Sequence, residues 1–390
     1  MDITELGDAD GHVIEPGDLW LERLPADLRD FGPHFFRDAE GVFRQRIYGI
    51  DIGTLEVMHG GMRPRDMLQN MGLAAAMGQD LARVFSDDDR ERFTMVDAPE
   101  WTRDGSQRLA FNLAHGVGRA VLFPTFMLAG GTFQPHLAAA ACRVYNDWIF
   151  DDYCGGSAGR LIPVGALPII DVEASVAEAR RCAEKGFRAV FVRTNPVHGR
   201  KYSDPAYDAL WRAIQDLDLR LGLHPLPVWD QEGTSRGFRL PDIMAASALG
   251  FPLDMMHTLY DMMSGGVFDR FPNLQTMILE AGCGWIPSMF ERWEEHMEMF
   301  GKVKAPEWKT KPMEIFHRQM MVTVEACEAI DINIALQYLP ASHIALASDW
   351  PHYDGTPDLV AGFRKATTKL RDEDVRMLAT GTLERWFPSH

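Results

Sequence analysis

From about residue 119 onward the chain alternates short, nearly uninterrupted apolar runs with longer segments of helical period. The runs are RAVLFPT (119–125), LIPVGALPI (161–169), AVFVRTN (189–195), RLGLHPL (220–226), LQTMILEAG (274–282), MMVTVEA (320–326) and IALASDWPH (344–352). None alternates cleanly between apolar and polar residues, which is how strands buried on both faces read. Between them lie VEASVAEARRCAEKG (172–186), DPAYDALWRAIQDLD (204–218) and IPSMFERWEEHMEMFG (286–301), each helix-like. With ELGDADGHV (5–13) as the first strand, there are eight β units. Eight parallel strands with crossover helices close on themselves. The expected fold is therefore α/β, a (β/α)8 TIM barrel spanning 1–390 as a single domain. An open doubly wound sheet fits less well, because no Gly-rich phosphate loop follows any strand.

Residues 14–118 interrupt the repeat with a stretch rich in Arg, Asp, Met and Gly, including GGMRPRDMLQNMGLAAAMGQD at 60–80. An insertion after a barrel strand emerges at the catalytic face, where it would form a lid. A second excursion (226–250) follows the fifth strand.

Active sites of such barrels lie at the C-terminal strand ends, so the polar residues ending each run are the informative ones. They are Asp8, Asp10 and His12 from strand one, Arg193 from strand four and His224 from strand five. Strand six gives Glu280, strand seven Glu325, and strand eight Asp349 with His352 just beyond. Unpaired carboxylates in a buried sheet cost several kcal/mol each, on the order given for buried ions, and several converging on one mouth repel each other. A divalent cation resolves the conflict. In D-A-D-G-H the alternate residues Asp8, Asp10 and His12 face one side of the strand. Asp8 is either a ligand or a brace for a neighbouring one, and Glu325 is either catalytic or part of a helix start. His257 and His296, inside helical segments, are further ligand candidates against a plain helix-face role. Arg193 either grips a substrate anion or balances the acidic mouth, and His352 is a candidate for contacting the substrate. No G-x-S-x-G elbow and no closely spaced Cys/His set is present.

The chain carries 39 basic and 56 acidic residues, a net charge of −17, which disfavours a nucleic-acid partner. No apolar run approaches the roughly 20 residues of a membrane span, and five scattered cysteines fit a reducing cytoplasm. Methionines cluster at 58–77 and 255–263; they either line an adaptable apolar pocket or pack a core. Arg63, Arg65, Arg236 and Arg239 are the candidates for contacting a phosphate-bearing substrate such as a CoA ester.

DADGH (8–12), GLHP (222–225), FPNL (271–274) leading into LEAGCGW (279–285), and SDWPH (348–352) together resemble the amidohydrolase superfamily. The resemblance covers nearly the whole chain and is strongest to the branch containing aminocarboxymuconate semialdehyde decarboxylase. It implies a metal on Asp10, His12, His224 and Asp349. Two departures stand out. Asp10 and Glu280 occupy positions that usually carry histidine, and strand four offers Arg193 where some relatives have a bridging lysine. The remaining ligand set is carboxylate-rich (Asp10, Glu280 and Asp349, with Glu325 as a candidate catalytic partner of Glu280), and hard oxygen donors suit iron or manganese. That composition is similar to the barrel branch of non-haem diiron monooxygenases that includes the platensimycin/platencin diterpenoid hydroxylase. The leading expectation is accordingly an oxidoreductase of secondary metabolism. It would use two iron ions, draw electrons from a partner reductase, and hydroxylate a bulky terpenoid or acyl substrate, with a homodimer as the assembly. The alternative is a mononuclear zinc or manganese hydrolase or non-oxidative decarboxylase with Glu280 as general base.

Overall fold

The computed structural model describes residues 5–37, 103–131, 133–194, 200–226, 245–352 and 358–389, with Gly355 and short pieces between 39 and 51. Eight parallel strands form a nearly closed barrel in the order β1 (Leu6–His12), β5 (Val117–Phe123), β6 (Leu161–Ala166), β7 (Ala189–Arg193), β8 (Arg220–His224), β9 (Thr276–Ile278), β10 (Met320–Glu325) and β11 (Ile344–Ala347). Each strand pairs with its successor in parallel register. Between β11 and β1 the mouth is tied instead by Asp349 N–H to the Asp10 carbonyl at 2.7 Å and His12 N–H to the Trp350 carbonyl at 2.9 Å. Nearly every strand residue is buried, which is why the runs show no alternation.

The helices follow from local chemistry. Asp171 caps the helix Val172–Lys185 by accepting from Ala174 N–H, and Gly186, at φ +107°, ends it in the left-handed conformation that an L side chain resists. Pro287 and Pro312 open Ile286–Lys304 and Pro312–Gln319 at the first turn, where a missing N–H costs nothing.

Within the insertion, β2 (His34–Arg37), β3 (Phe43–Ile47) and β4 (Ile50–Asp51) make a small antiparallel sheet, and the helix Gly105–Ala114 leads into β5. The expected lid falls largely on 52–102, outside the described residues, as do Arg63, Arg65, Arg236, Arg239 and the methionines at 58–77. Of the second methionine cluster, Met255, Met262 and Met263 are fully buried in the core, so these pack the barrel wall. Among the described residues, no helix is long and apolar enough to cross a membrane.

Candidate active site

Strand parity brings Asp10 and His12 to the mouth, and His224 reaches it from the end of β8. Asp349 arrives differently. It follows β11 at φ +50°, and Glu280 follows β9 at φ +48°. Non-glycine residues held in this left-handed region cost about 1–3 kcal/mol each, and such strain gathers where side chains must be aimed. Here it turns two carboxylates into one cavity.

The four residues converge. His12 Nε2 lies 3.6 Å from Asp10 Oδ1 and 3.1 Å from Asp349 Oδ1. His224 Nε2 lies 3.6 Å from the same Asp10 oxygen and 3.3 Å from His12 Nε2. His12 Nδ1 donates to the Pro124 carbonyl at 2.7 Å and His224 Nδ1 to the Pro225 carbonyl at 2.5 Å. Each Nε2 therefore carries a lone pair, and the two lone pairs face each other beside a carboxylate. Burial, then the charge of His352, lowers the His12 pKa to about 4, so its ring is neutral at pH 7. Burial opposes ionisation of Asp349. The charge of His352 and its hydrogen bond outweigh that and hold the carboxyl below the ordinary range.

A cation fits this geometry on an observation of the side chains themselves. Both oxygens of Asp10 and Oδ2 of Asp349 are buried with no hydrogen-bond donor among the described residues. Facing acceptors with no donor are tolerated only if something positive sits among them. The possible ligand groups are Asp10–His12–His224 and His12–Asp349–His352, and they share His12. Its Nδ1 is already bonded to Pro124, so its one remaining nitrogen can serve a single ion.

The other expected residues divide. Glu280 Oε2 stands 3.7 Å from His224 Nδ1, and its backbone N–H donates to Thr323 Oγ1. Beside this cluster opens a cavity of about 330 Å³, walled by Glu280, Glu325, Thr323, Trp285 and Phe251 and floored by Asp10 and Asp349. The glycines after β9 earn their place here: a side chain at Gly282 (φ +65°) would collide with the Asp331 carboxylate, which accepts from Cys283 N–H. Arg193 is buried at the end of β7, paired in register with His224.

Two ligand expectations are corrected. His257 is exposed on the helix Phe251–Ser264, and His296 is bonded through Nδ1 to Arg292 of its own helix; neither reaches the cluster. Only the first turn of the helix Phe251–Ser264 reaches the cavity, and His257 lies beyond it on an exposed face. Asp8 is a brace, accepting from Ser348 N–H (3.0 Å), Ser348 Oγ (2.6 Å) and Asp10 N–H. His352, expected at the substrate, has one nitrogen on Asp349 (2.9 Å) and the other on Thr125 Oγ1 (2.9 Å), and it stacks on His12 at 3.8 Å. With both nitrogens engaged it supports ligands and has none left for a substrate.

Sequence reasoning missed Arg108 and Glu15. Arg108 is buried and donates to the carbonyls of His12 (2.9 Å) and Trp350 (3.1 Å), stitching the two ligand-bearing strand ends together from the insertion. Glu15 accepts from the backbone N–H groups of Thr125, Phe126 and Met127, fixing the loop that touches His352. Their partners lie 96 or more residues away, a separation no local pattern reveals.

A barrel with carboxylates and imidazoles meeting at its C-terminal mouth defines a metal-site class of hydrolases and lyases. Residues 119–388 match the amidohydrolase family model, and the chain belongs to that family. It is 30% identical over 195 residues to the 2-amino-3-carboxymuconate-6-semialdehyde decarboxylase of Dictyostelium discoideum, covering 50% of this chain and 52% of that one. The chain spans about half to two thirds of the length of the curated relatives it matches. Among solved structures, an amidohydrolase from Mycobacterium avium subsp. paratuberculosis superposes with a TM-score of 0.77 at 18% identity, covering 99% of this chain and 100% of that one. A dihydroxybenzoic acid decarboxylase from Polaromonas, solved with bound manganese, gives 0.65 at 20% identity, covering 80% and 92%.

These relatives correct the leading expectation from sequence. The curated relatives and the Polaromonas protein are named as decarboxylases, so the iron-dependent monooxygenase, and with it the oxidoreductase assignment, is set aside. The reason is chemical: a carboxylate-rich ligand set suits manganese as well as iron, so it constrains the ion and says nothing of dioxygen.

Proposed function

We propose that the protein is a metal-dependent, non-oxidative decarboxylase acting on a small carboxylic acid. The observation that carries this reading is the convergence of Asp10, His12, His224 and Asp349, with Asp10's two oxygens lacking any donor, at the floor of the cavity holding Glu280. Those four residues would hold one divalent ion, manganese being the ion bound in the Polaromonas relative. When bound, the ion supplies positive charge that orients an anionic substrate and stabilises negative charge developing on it.

The chain's own groups supply the rest. A cavity of about 330 Å³ admits a molecule the size of a single substituted ring, and Trp285 and Phe251 give it flat apolar walls. Arg193, buried beside His224 at the end of β7, adds positive charge next to the cluster. Glu280, as its carboxylic acid, delivers a proton to the carbon bearing the carboxylate. The C–C bond then breaks, its electron pair refills the π system that took up the proton, and CO2 leaves. Glu280 recovers a proton from water through the open side of the cavity, and Glu325 lines the same wall. No electrons enter or leave overall, so a reductase partner has no role.

The test is CO2 release from hydroxylated and aminated aromatic or muconate-type acids under argon, with manganese supplied. Oxygen-independent CO2 release that stops on chelation supports the reading. Turnover that requires and consumes dioxygen overturns it.

A further inference from the structure

The barrel's other end has a different character. At the N-terminal ends of β8 to β11, Arg220, Gln275, Arg318, His343, Arg385 and Trp386 enclose a small cavity of about 50 Å³. One water needs roughly 10–15 Å³ of such space, so there is room for a polyatomic ion. Three guanidinium groups line it and no carboxylate does, in a chain whose net charge is −17.

These cations are poorly neutralised by the protein. Arg220 meets only Asp218, through Nη1, and Asp218 is 83% exposed; its Nε is buried with no hydrogen-bond partner among the described residues. Arg318 spends Nε on Gln319 Oε1 and Nη2 on the Phe268 carbonyl, leaving Nη1 without a bond among the described residues. Arg385 makes no hydrogen bond or ion pair among the described residues. His343 has its nitrogens on the His317 carbonyl and on Ser342 Oγ, so it forms a neutral wall. Arg119 and Arg188 extend the same face: after burial, the charges of Arg220 and Arg119 are what depress the Arg188 pKa. The opposing acids are few, namely Asp218, Glu384 beside Arg119 and Glu5 on Arg160. Three converging guanidinium groups with unused donors form a fork suited to an oxyanion.

We propose that the cavity between Arg220, Arg318 and Arg385 binds a small tetrahedral oxyanion of the phosphate class, at the end of the barrel opposite the metal cluster. The site is independent of the decarboxylase reading. Its occupant would tie the start of β8, the approach to β10 and the C-terminal helix Thr382–Trp386 together, stabilising the native state by mass action.

The experiment measures melting temperature and calorimetric binding with inorganic phosphate, at ionic strength held constant with chloride. Wild type is compared with the double variant Arg318→Gln/Arg385→Gln, both at exposed positions. Manganese binding at the opposite mouth reports that the variant is folded. The expected result is a saturable phosphate-dependent rise in melting temperature, reproduced by sulfate but not by acetate. The double variant, with two of three guanidinium groups gone, should lose at least tenfold in affinity. Equal phosphate effects in wild type and a folded variant, or an effect that chloride or acetate matches, would overturn the proposal.

Discussion

Replacing Asp10 with Asn separates the cost of the bare cluster from its use. In the metal-free protein Asp10 buries two acceptor oxygens with no donor, 3.6 Å from each of two imidazole lone pairs. An amide of the same shape removes the charge and offers two N–H donors to His12 and His224. Relieving a buried unsatisfied group is worth about 1–3 kcal/mol. For a chain of 390 residues the unfolding entropy converts about 0.8 kcal/mol into one degree. The stripped Asn variant should therefore melt roughly 1–4 °C above stripped wild type. Loaded with manganese the variant's advantage shrinks or reverses. At a metal concentration about a thousand times Kd, wild type gains about 4 kcal/mol, roughly 5 °C. A variant lacking the ligand charge, with affinity lower by at least about 100-fold, gains much less. Thermal melts of chelator-treated protein, with and without added Mn²⁺, read both effects. A stripped Asn variant that melts below wild type while keeping the full metal-induced rise would refute the reasoning.

Glu280→Gln should retain the metal, because the four ligands are untouched, yet lose about 10²- to 10⁴-fold in turnover, as expected for removal of a proton donor; steady-state rates beside metal content check this. Arg108→Met removes donors to the His12 and Trp350 carbonyls and to Asn112, and should cost about 2–4 kcal/mol, measured by denaturant unfolding. The pH dependence of the metal-free protein pits two groups against each other. His12, at about 4 when folded against an ordinary 6.5, contributes stability that is full above pH 6.5 and lost as pH falls toward 4. Asp8, raised by burial to about 6 from 3.8, has the opposite sign: its contribution is full below pH 3.8 and lost as pH rises through 6. Each shift corresponds to about 3 kcal/mol, so they nearly cancel in wild type. In Asp8→Asn the acid loss of His12 stands uncovered, and stability should fall about 3 kcal/mol more steeply than in wild type between pH 6.5 and 4.

The barrel was readable because burial on both faces leaves strands such as Ala189–Arg193 uniformly apolar, while capped segments such as Val172–Lys185 keep helical period. The meeting of Asp10, His12 and His224 was readable for the same reason, since they are polar residues in otherwise apolar strands. What local pattern could not supply was conformation and distance. The positive φ at Glu280 and Asp349 leaves no mark in the sequence, and neither does Arg108's reach across to Trp350, 242 residues on. His257 and His296 misled because a histidine in a helix reads alike whether its face meets the mouth or the solvent. The reaction itself was misjudged by treating the hardness of the ligands as evidence for oxygen chemistry, when it bears only on which ions bind.

The most direct test of the central claim is the metal content of purified protein, measured per chain by elemental analysis after loading with Mn²⁺ and desalting. One ion per chain in wild type, and essentially none in His224→Ala, is the outcome that a single cluster of Asp10, His12, His224 and Asp349 requires. Two ions per chain, or an ion that His224→Ala retains, would contradict it.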